Sequence, residues 1–373
     1  MKVIAAIDSF KGSMTSMEAG NAVKKGILAA KPDAEVWLSP LADGGEGTVD
    51  ALIEGLGAEK IPVTVAGPLG EKVSCYYGFL EETKTAVMEM ASAAGITLVI
   101  KKDPLRASTY GVGEMIADAL KRGCKNFMIG IGGSATNDGG IGMLKALGFE
   151  FFDEDGNDVG EGAAALVKIE VIRTENKNPL LSGAKFQIAC DVKNPLCGKQ
   201  GATYIFGPQK GVTEEQKEQV DEAMRHYADV TKESLDCDFA DCEGAGAAGG
   251  LGYAFLSYLA GELIPGVELI LQATGLEEKM KNADVVVTGE GRLDAQTVMG
   301  KAPAGVAALA KKYNAKVIAF AGSVAPEAKV CNRAGIDAFF PIVRGVTTLE
   351  EAMKKENAME NIAATAEQVF RLL

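Results

Sequence analysis

The sequence predicts an α/β protein with two domains, because its length, its composition and the order of its apolar segments all favour that class. The chain has 373 residues, more than one hydrophobic core normally accommodates. Hydrophobic residues make up 47% and charged residues 24% of the chain, as in ordinary folded proteins. Apolar runs of strand length alternate with helical patterns near both ends of the sequence. That alternation is typical of βαβ units and a parallel sheet.

The first part of the chain predicts a strand, a polar loop and a helix, twice in succession. Lys2–Ile7 is a short apolar run, and the helical pattern of Ser16–Ala30 follows it. Residues 35–41 predict a second strand, and residues 49–56 predict the next helix. Open α/β sheets bind ligands at the carboxyl ends of their strands. The loops after both predicted strands are therefore candidate binding loops.

The middle of the chain has a different pattern. IPVTVAGP, EKVSCYYGFL and TKTAVMEMA are shorter apolar runs that predict an antiparallel or mixed sheet. Strand and helix patterns of the first kind return at ADVVVTGEGRLD, residues 283–294. We therefore predict a Rossmann-like parallel α/β domain from residues 1–62 and 283–373, and an inserted mixed α/β domain from residues 63–282.

Charge and composition exclude several classes of function. The net charge of −13 opposes non-specific binding to nucleic acid or anionic lipid. The sequence contains no apolar segment of membrane-spanning length and no leader pattern, so we expect a cytoplasmic protein. Seven scattered cysteines without a C-x-x-C pair predict reduced thiols. His226 is the single histidine and lies in a charged helical segment, which leaves no histidine-rich metal site and no histidine-based acid–base chemistry.

The most unusual stretch is GIGGSATNDGGIG at residues 130–142, directly after an apolar run. Its six glycines let the backbone pass close to a ligand while presenting many N–H donors. This chemistry suits an anion such as a phosphate. A tight strand-to-helix turn is the simpler interpretation, but such a turn needs only one or two glycines.

The same stretch permits a second interpretation. GIGGSA matches the dinucleotide pattern G-x-G-x-x-A, and Glu150 lies where that pattern expects a ribose-binding acid. A nicotinamide-dependent oxidoreductase is therefore the alternative function. Against it, the helix predicted after the glycines is short, and Asn137-Asp138 interrupts its start. No G-x-x-x-x-G-K-[ST] stretch occurs, which excludes a P-loop of the usual form.

A second charged segment, TGEGRLDAQTVMGKAP at residues 288–303, follows a strand that reads as buried. It brings two carboxylates and two cations to one strand end: Glu290, Arg292, Asp294 and Lys301. Carboxylates can bind Mg²⁺, and the cations can neutralise a transferring phosphoryl group. A surface ion network is the structural alternative.

Asp191 follows the predicted strand KFQIAC and precedes the Asn194-Pro195 turn. An aspartate at a strand end is commonly a turn or helix-capping residue. In the absence of a usable histidine it is also a candidate general base. The residue alone leaves both interpretations open.

Eight segments together resemble the bacterial glycerate kinase family, type I, across essentially the whole chain: IDSFKGS, ADGGEGT, TYGVGE, GGSATNDGG, CDVKNPLCG, FGPQKG, GAGAAGGLG and TGEGRLDAQT. The resemblance implies ATP-dependent phosphorylation of D-glycerate, with Mg²⁺, by a two-domain α/β protein whose active site lies in the cleft between the domains. It also favours 2-phosphoglycerate over 3-phosphoglycerate as the product.

Phosphoryl transfer needs positioning and charge neutralisation more than a strong nucleophile, and we assign the candidate residues on that basis. The predicted catalytic residues are Asp191, Lys11 and Arg292. The predicted ATP-binding residues are Ser9, Gly132, Gly133, Ser134, Thr136 and Lys301. The predicted glycerate-binding residues are Asp8, Asp43, Glu46 and Asn137. Glu290 and Asp294 are the predicted Mg²⁺ ligands, and the sets Asp43/Glu46 and Glu290/Asp294 can exchange roles.

A non-catalytic protein that binds sugar acids is a further alternative, which glycerate binding without ATP turnover would favour. D-glycerate and ATP are the expected partners, and we expect neither nucleic acid nor membrane. The sequence leaves the oligomeric state open, with a homodimer as one option.

Overall fold

The computed structural model describes residues 1–42 and 48–373. The chain divides into two compact units. Unit 1 contains the described residues 1–42, Asp50–Ala58 and Val267–Leu373, and unit 2 contains residues 48–49 and Glu59–Gly266. The sequence-based boundaries lie at residues 62 and 283. Those boundaries and the cleft site stay predictions, and each unit is described by itself.

The strands of the described residues are, in chain order, β1 (Lys2–Ile7), β2 (Glu35–Pro40), β3 (Glu59–Ala66), β4 (Lys72–Leu80), β5 (Thr85–Glu89), β6 (Asn126–Gly130), β7 (Glu150–Phe152), β8 (Val171–Arg173), β9 (Lys185–Ala189), β10 (Glu262–Ile264), β11 (Val285–Leu293), β12 (Lys316–Val324) and β13 (Ala338–Pro341).

The α-helices of the described residues are α1 (Ser16–Ala30), α2 (Thr48–Leu56), α3 (Ala91–Ala94), α4 (Tyr110–Lys121), α5 (Ile141–Ala146), α6 (Ala163–Leu166), α7 (Ala202–Lys210), α8 (Lys217–Leu235), α9 (Leu251–Leu259), α10 (Gly266–Ala273), α11 (Leu276–Met280), α12 (Ala302–Lys312), α13 (Val330–Arg333), α14 (Leu349–Met353) and α15 (Lys355–Arg371).

Unit 1 is built on a parallel five-stranded sheet in the order β13-β12-β11-β1-β2. The chain moves outward from β1 to β2 in one direction, and later from β11 to β13 in the other. The strand order therefore reverses between β1 and β11. In open α/β sheets this reversal opens a crevice at the carboxyl ends of the two strands, where ligands bind.

Helices α1 and α15 cover one another in unit 1. Thr15 caps α1, because its side chain accepts the Glu18 N–H while the Glu18 carboxylate accepts the Thr15 N–H. A Cβ at Gly26 would lie 2.0 Å from the carbonyl oxygen of Ala363. Only glycine lets the two helix backbones approach this closely. The apolar faces of α1 and α15 and strands β1, β11 and β12 form the core of this side.

Unit 2 has a six-stranded mixed sheet in the order β10-β9-β6-β5-β4-β3. Strands β5, β6, β9 and β10 pair in parallel, whereas β3, β4 and β5 form an antiparallel meander. The antiparallel part corresponds to the alternating segments recognised in the sequence. The α/β class with a mixed sheet is thereby confirmed.

The described part of the chain contains no helix that is both long and apolar enough to cross a membrane. All seven cysteines are free, as predicted. His226 is half-buried on α8, and its Nε2 lies 2.7 Å from the carbonyl oxygen of Ile169.

Candidate active site

Unit 1 contains a cavity of about 570 Å³ at the carboxyl ends of β1, β11 and β12. It lies where the strand order reverses. Several residues predicted from the sequence line it together: Asp8, Ser9, Lys11, Glu290, Arg292 and Lys301. These residues are about 280 positions apart in the chain, and the parallel pairing of β1 with β11 brings them to one edge.

The loop after β1 begins with a buried carboxylate. Asp8 is 7% exposed, its N–H donates to the carbonyl oxygen of Gly289, and its Oδ1 accepts the N–H of Ser9 at 2.6 Å. Lys11 is exposed, and Gly12 follows it with φ of +77°. The loop thus holds a carboxylate at the floor of the cavity and a cation at its rim.

Glu290, on β11, is a buried carboxylate of the cavity with two side-chain partners. It is 7% exposed, its Oε1 accepts the Thr297 hydroxyl at 2.6 Å, and its Oε2 lies 3.3 Å from Lys301 Nζ. Burial raises the pKa of Glu290, while the bond from Thr297 and the charge of Lys301 act in the opposite direction. Thr297 also accepts the N–H of Asp294 and so ties the two candidate metal ligands together. Thr297 was not among the site residues predicted from the sequence.

Asp294 and Arg292 form a weaker pair. Arg292 Nε lies 3.6 Å from Asp294 Oδ2, and the Arg292 side chain is 67% exposed. The other carboxylate oxygen, Oδ1, accepts the N–H of Gln296. Among the described residues there is no cluster of three or more His, Cys, Asp or Glu side chains that could hold a metal ion. Two carboxylates nevertheless suffice for Mg²⁺, whose remaining ligands are commonly water and phosphate oxygens.

In unit 2, the glycine-rich stretch forms the loop between β6 and α5. Gly132 and Gly133 are exposed, whereas residues 134–142 are buried. Gly133 has φ of +74°, a conformation that side-chain-bearing residues rarely adopt. The loop therefore presents two exposed glycines, and the rest of the stretch lies inside the protein.

Asp138 holds this loop from within. Its fully buried carboxylate accepts hydrogen bonds from the N–H and the hydroxyl of Thr109, both at 2.8 Å, and from the N–H groups of Gly140 and Gly142. Burial raises the pKa of Asp138, and these four hydrogen bonds oppose that shift. Asp138 is therefore a structural carboxylate of the loop.

Thr136 and Asn137 are fully buried, although the sequence predicted that they contact ATP and glycerate. Asn137 Nδ2 donates to Thr203 Oγ1, while Asn137 Oδ1 and Thr136 Oγ1 have no hydrogen-bond partner among the described residues. The carbonyl oxygen of Thr136 accepts a 2.6 Å hydrogen bond from Lys210 Nζ. In this conformation both side chains lie beneath the loop surface, and their ligand contacts stay predictions.

Lys210, at the end of α7, was not singled out in the sequence. It is 2% exposed, and burial lowers its pKa to about 7 while the charge of Asp138 opposes the shift. Its residue type gave little indication of a buried position, since lysines are rarely buried without a partner.

Asp191 lies in the loop after β9 and is exposed. Its Oδ1 accepts the N–H of Gly266 at 2.9 Å, at the start of α10. This contact fits the helix-capping interpretation, and the carboxylate still faces solvent. Asp43 and Glu46 lie outside the described residues.

Comparison with known proteins identifies the family. The model of the glycerate kinase family matches residues 3–373. The chain belongs to the glycerate kinase family. A glycerate kinase from Bacillus subtilis (strain 168) is 45% identical over 99% of this chain and 97% of the relative. A glycerate 2-kinase from Escherichia coli (strain K12) is also 45% identical, over 98% of each chain.

A solved structure gives the same result for the fold of this family member. The crystal structure of a presumed glycerate kinase 2 from Salmonella typhimurium LT2 superposes with a TM-score of 0.92 at 43% identity, covering 99% of this chain and 97% of the other. The predicted family, the fold class and the assignment as a phosphotransferase enzyme are confirmed.

Proposed function

We propose that this member of the glycerate kinase family transfers the γ-phosphoryl group of ATP to the 2-hydroxyl of D-glycerate. The observation that carries the proposal is the cavity of unit 1, where Lys11, Arg292 and Lys301 lie beside the carboxylates of Asp8 and Glu290. Cations and carboxylates at the reversal point of a parallel sheet are suited to a phosphate ester and its metal ion. The name of the E. coli relative, glycerate 2-kinase, supports the 2-hydroxyl.

The cations have distinct roles in this proposal. Lys301 and Ser9 bind phosphate oxygens of ATP, and Lys11 and Arg292 neutralise the charge that moves during transfer. In unit 2, the exposed N–H groups of Gly132 and Gly133, with Ser134 beside them, bind phosphate oxygens as well. Asp8 orients glycerate through its hydroxyls. Positioning and charge neutralisation of this kind account for most of the catalysis of phosphoryl transfer.

Glu290 and Asp294 fit a magnesium site. Both are carboxylates joined through Thr297, and in the structure each lies near a cation, Lys301 or Arg292. Bound Mg²⁺ would supply charge neutralisation at the phosphate oxygens. Lys301 and Arg292 would then turn from the carboxylates towards the nucleotide, since their side chains are at least one-third exposed.

We assign Asp191 as the general base that accepts the proton of the glycerate hydroxyl. Its carboxylate is exposed, and the chain offers no histidine in this region. The hydrogen bond from Gly266 would fix the orientation of the side chain. Asp43 and Glu46 stay candidates for binding glycerate, and a cytoplasmic location and the oligomeric state stay predictions.

A coupled ADP-release assay tests the proposal. We expect ATP turnover that depends on D-glycerate and on Mg²⁺, and a phosphorus NMR spectrum of the product with the phosphate on the 2-hydroxyl. Lys301→Ala should lose most of this turnover. An enzyme that binds glycerate without consuming ATP would contradict a kinase. A product phosphorylated at the 3-hydroxyl would contradict only the position of transfer.

A further inference from the structure

The cavity of unit 1 has two chemically different ends. The charged residues lie at the ends of β1 and β11. At the end of β13 and along α14, the lining is mostly apolar: Ile342, Val343, Leu349, Ala352 and Met353. Apolar side chains offer neither charge nor hydrogen bonds to phosphates and metal ions. The apolar end therefore suits a different part of a ligand.

Two of these apolar side chains are exposed although they line a cavity. Leu349 is 76% exposed and Met353 is 37% exposed. Single exposed apolar residues are common, but apolar side chains gathered around a concave site typically mark a binding surface. A flat apolar group packed against both would remove their surface from water.

The cavity also provides a polar group that lacks a partner. Asn361, on α15, lines the cavity and is half-buried, and its side-chain amide makes no hydrogen bond within the part of the chain that the structure describes. An asparagine amide offers a donor and an acceptor side by side, which is the pattern that pairs with an edge of adenine.

The volume of the cavity fits ATP better than it fits glycerate alone. About 570 Å³ falls within the range of sites for whole cofactors or drug-sized ligands, whereas glycerate has only three carbons. Met353 lies beside the loop after β1, since a Cβ at Gly12 would lie 3.0 Å from Met353 Cε, so the apolar surface adjoins the loop that carries Lys11. A ligand that covers both surfaces must therefore be apolar in one part and anionic in another.

We propose that the apolar end of this cavity binds the adenine ring of the nucleotide, with one face of the ring packed on Leu349 and Met353 and its edge paired with Asn361, so that its phosphates extend to Lys301 and Lys11. Gly291 and Gly322, at the ends of β11 and β12, form the floor between the two ends. A Cβ at Gly322 would lie 2.6 Å from the carbonyl oxygen of Gly291, so this floor is bare backbone. The proposal rests on the proposed function and adds the location of the base.

Steady-state kinetics with two variants test the proposal. Leu349→Glu places a charge against the ring, and Asn361→Leu removes the amide. Leu349→Glu should fold normally, because the side chain is exposed and an acidic residue suits the first turn of α14. We expect Asn361→Leu to raise the KM for ATP about tenfold, the value of one lost hydrogen bond of about 1.4 kcal/mol. Leu349→Glu should raise the KM for ATP as well, and neither variant should change the KM for glycerate. Asn361→Leu should also narrow the preference for ATP over GTP.

The matched control is Val346→Glu, which adds the same charge to the same segment at a fully exposed residue that does not line the cavity. It should leave both KM values unchanged. If Leu349→Glu raises the KM for glycerate alone, or if neither variant changes the KM for ATP, the cavity does not hold the base.

Photolabelling of the unmodified enzyme with 8-azido-ATP separates this inference from the proposed function. Label on peptides within residues 342–361 supports the inference, even if no glycerate-dependent turnover occurs and the proposed reaction fails. Label confined to unit 2, in an enzyme that phosphorylates glycerate, overturns the inference and leaves the reaction standing.

Discussion

The buried ammonium group of Lys210 donates a 2.6 Å hydrogen bond to the carbonyl oxygen of Thr136. This bond joins the end of α7 to the middle of the glycine-rich loop. It places a lysine with a pKa of about 7 directly behind the two glycines that the loop exposes. The position of the loop and the protonation of one side chain are therefore linked.

The stability of the fold should respond to this lysine. The pKa of Lys210 is lowered in the folded protein, so between about 7 and the ordinary value of 10.5 the unfolded chain binds a proton that the folded protein does not. Stability contributed by this group is therefore lost as the pH falls from 10.5 to 7, and it rises with pH across that window, by up to about 1.4 kcal/mol per pH unit.

Lys210→Met provides the reference, because methionine is of similar length and does not titrate. Urea unfolding of both proteins at several pH values should give a difference in unfolding free energy that grows in favour of the unmodified protein above pH 7. A difference that does not change with pH would mean that Lys210 keeps an ordinary pKa. A positively charged Lys210 paired with Asp138 would then be the better description.

A side chain introduced at Gly133, one of the two exposed glycines of the loop, should affect both stability and ATP binding. The space there is sufficient, since the nearest heavy atom to a new Cβ is Ala91 Cβ at 3.4 Å, but φ of +74° costs any other residue roughly 1–2 kcal/mol. We expect Gly133→Ala to destabilise the protein by about that amount. If the loop binds ATP phosphates, the variant should also raise the KM for ATP.

Gly183→Ala is the matched control for this substitution. Gly183 has φ of +76° and open space around it, so the backbone cost is the same, and it lies away from the glycine-rich loop in the sequence. Equal losses of stability with a higher KM for ATP in Gly133→Ala alone would assign the loop to the nucleotide. An unchanged KM in both would remove it from the nucleotide site.

Metal binding should depend on Glu290. We expect Glu290→Gln to lower the apparent affinity for Mg²⁺ about ten- to a hundredfold, the usual effect of changes around a metal site. Because burial raises the pKa of this carboxyl, protonation should weaken Mg²⁺ binding at a higher pH than for an exposed glutamate. Magnesium titration of activity measures both effects, with the exposed Glu327 changed to Gln as control. If Glu290→Gln leaves the Mg²⁺ dependence unaltered, other carboxylates bind the metal.

Asp191→Asn separates catalysis from structure at the loop after β9. The amide oxygen can still accept the N–H of Gly266, so the fold should be retained. Loss of a general base typically lowers kcat about a hundred- to ten-thousandfold, although a loose transition state reduces that effect. Thermal unfolding and kcat should be measured on the same samples. Near-normal kcat together with a loss of stability in Asp191→Ala would make Asp191 a capping residue of α10.

Much of the fold could be predicted because it is encoded locally. Strand β1 and helix α1 have the bounds that the apolar run and the helical pattern indicated, and the capping box of Thr15 and Glu18 lies within four residues. The contact between Glu290 and Lys301 could also be predicted, since both residues belong to one short segment of the sequence.

Other features of the site depend on contacts that no local pattern reports. Lys210 and Thr136 are 74 positions apart, and nothing near either residue indicates that they meet. Asn137 and Thr136 carry side chains typical of a binding loop, yet both are buried, and Asn137 donates to Thr203, 66 positions away. Polarity indicated a binding loop, which stays a prediction, but the direction of each side chain is decided by tertiary packing.

The interior position of β1 in its sheet also affects how the chain is made. One edge of β1 pairs with β2, which follows at once, but the other pairs with β11, and Lys2 bonds with Asp284 across 282 positions. At the usual rate of synthesis, about 5–20 residues per second, β11 leaves the ribosome roughly 15 to 55 seconds after β1. During that interval residues 59–266 emerge as one continuous segment and can fold, while β1 keeps an open edge. Translation therefore imposes an order on the two units that refolding from denaturant does not.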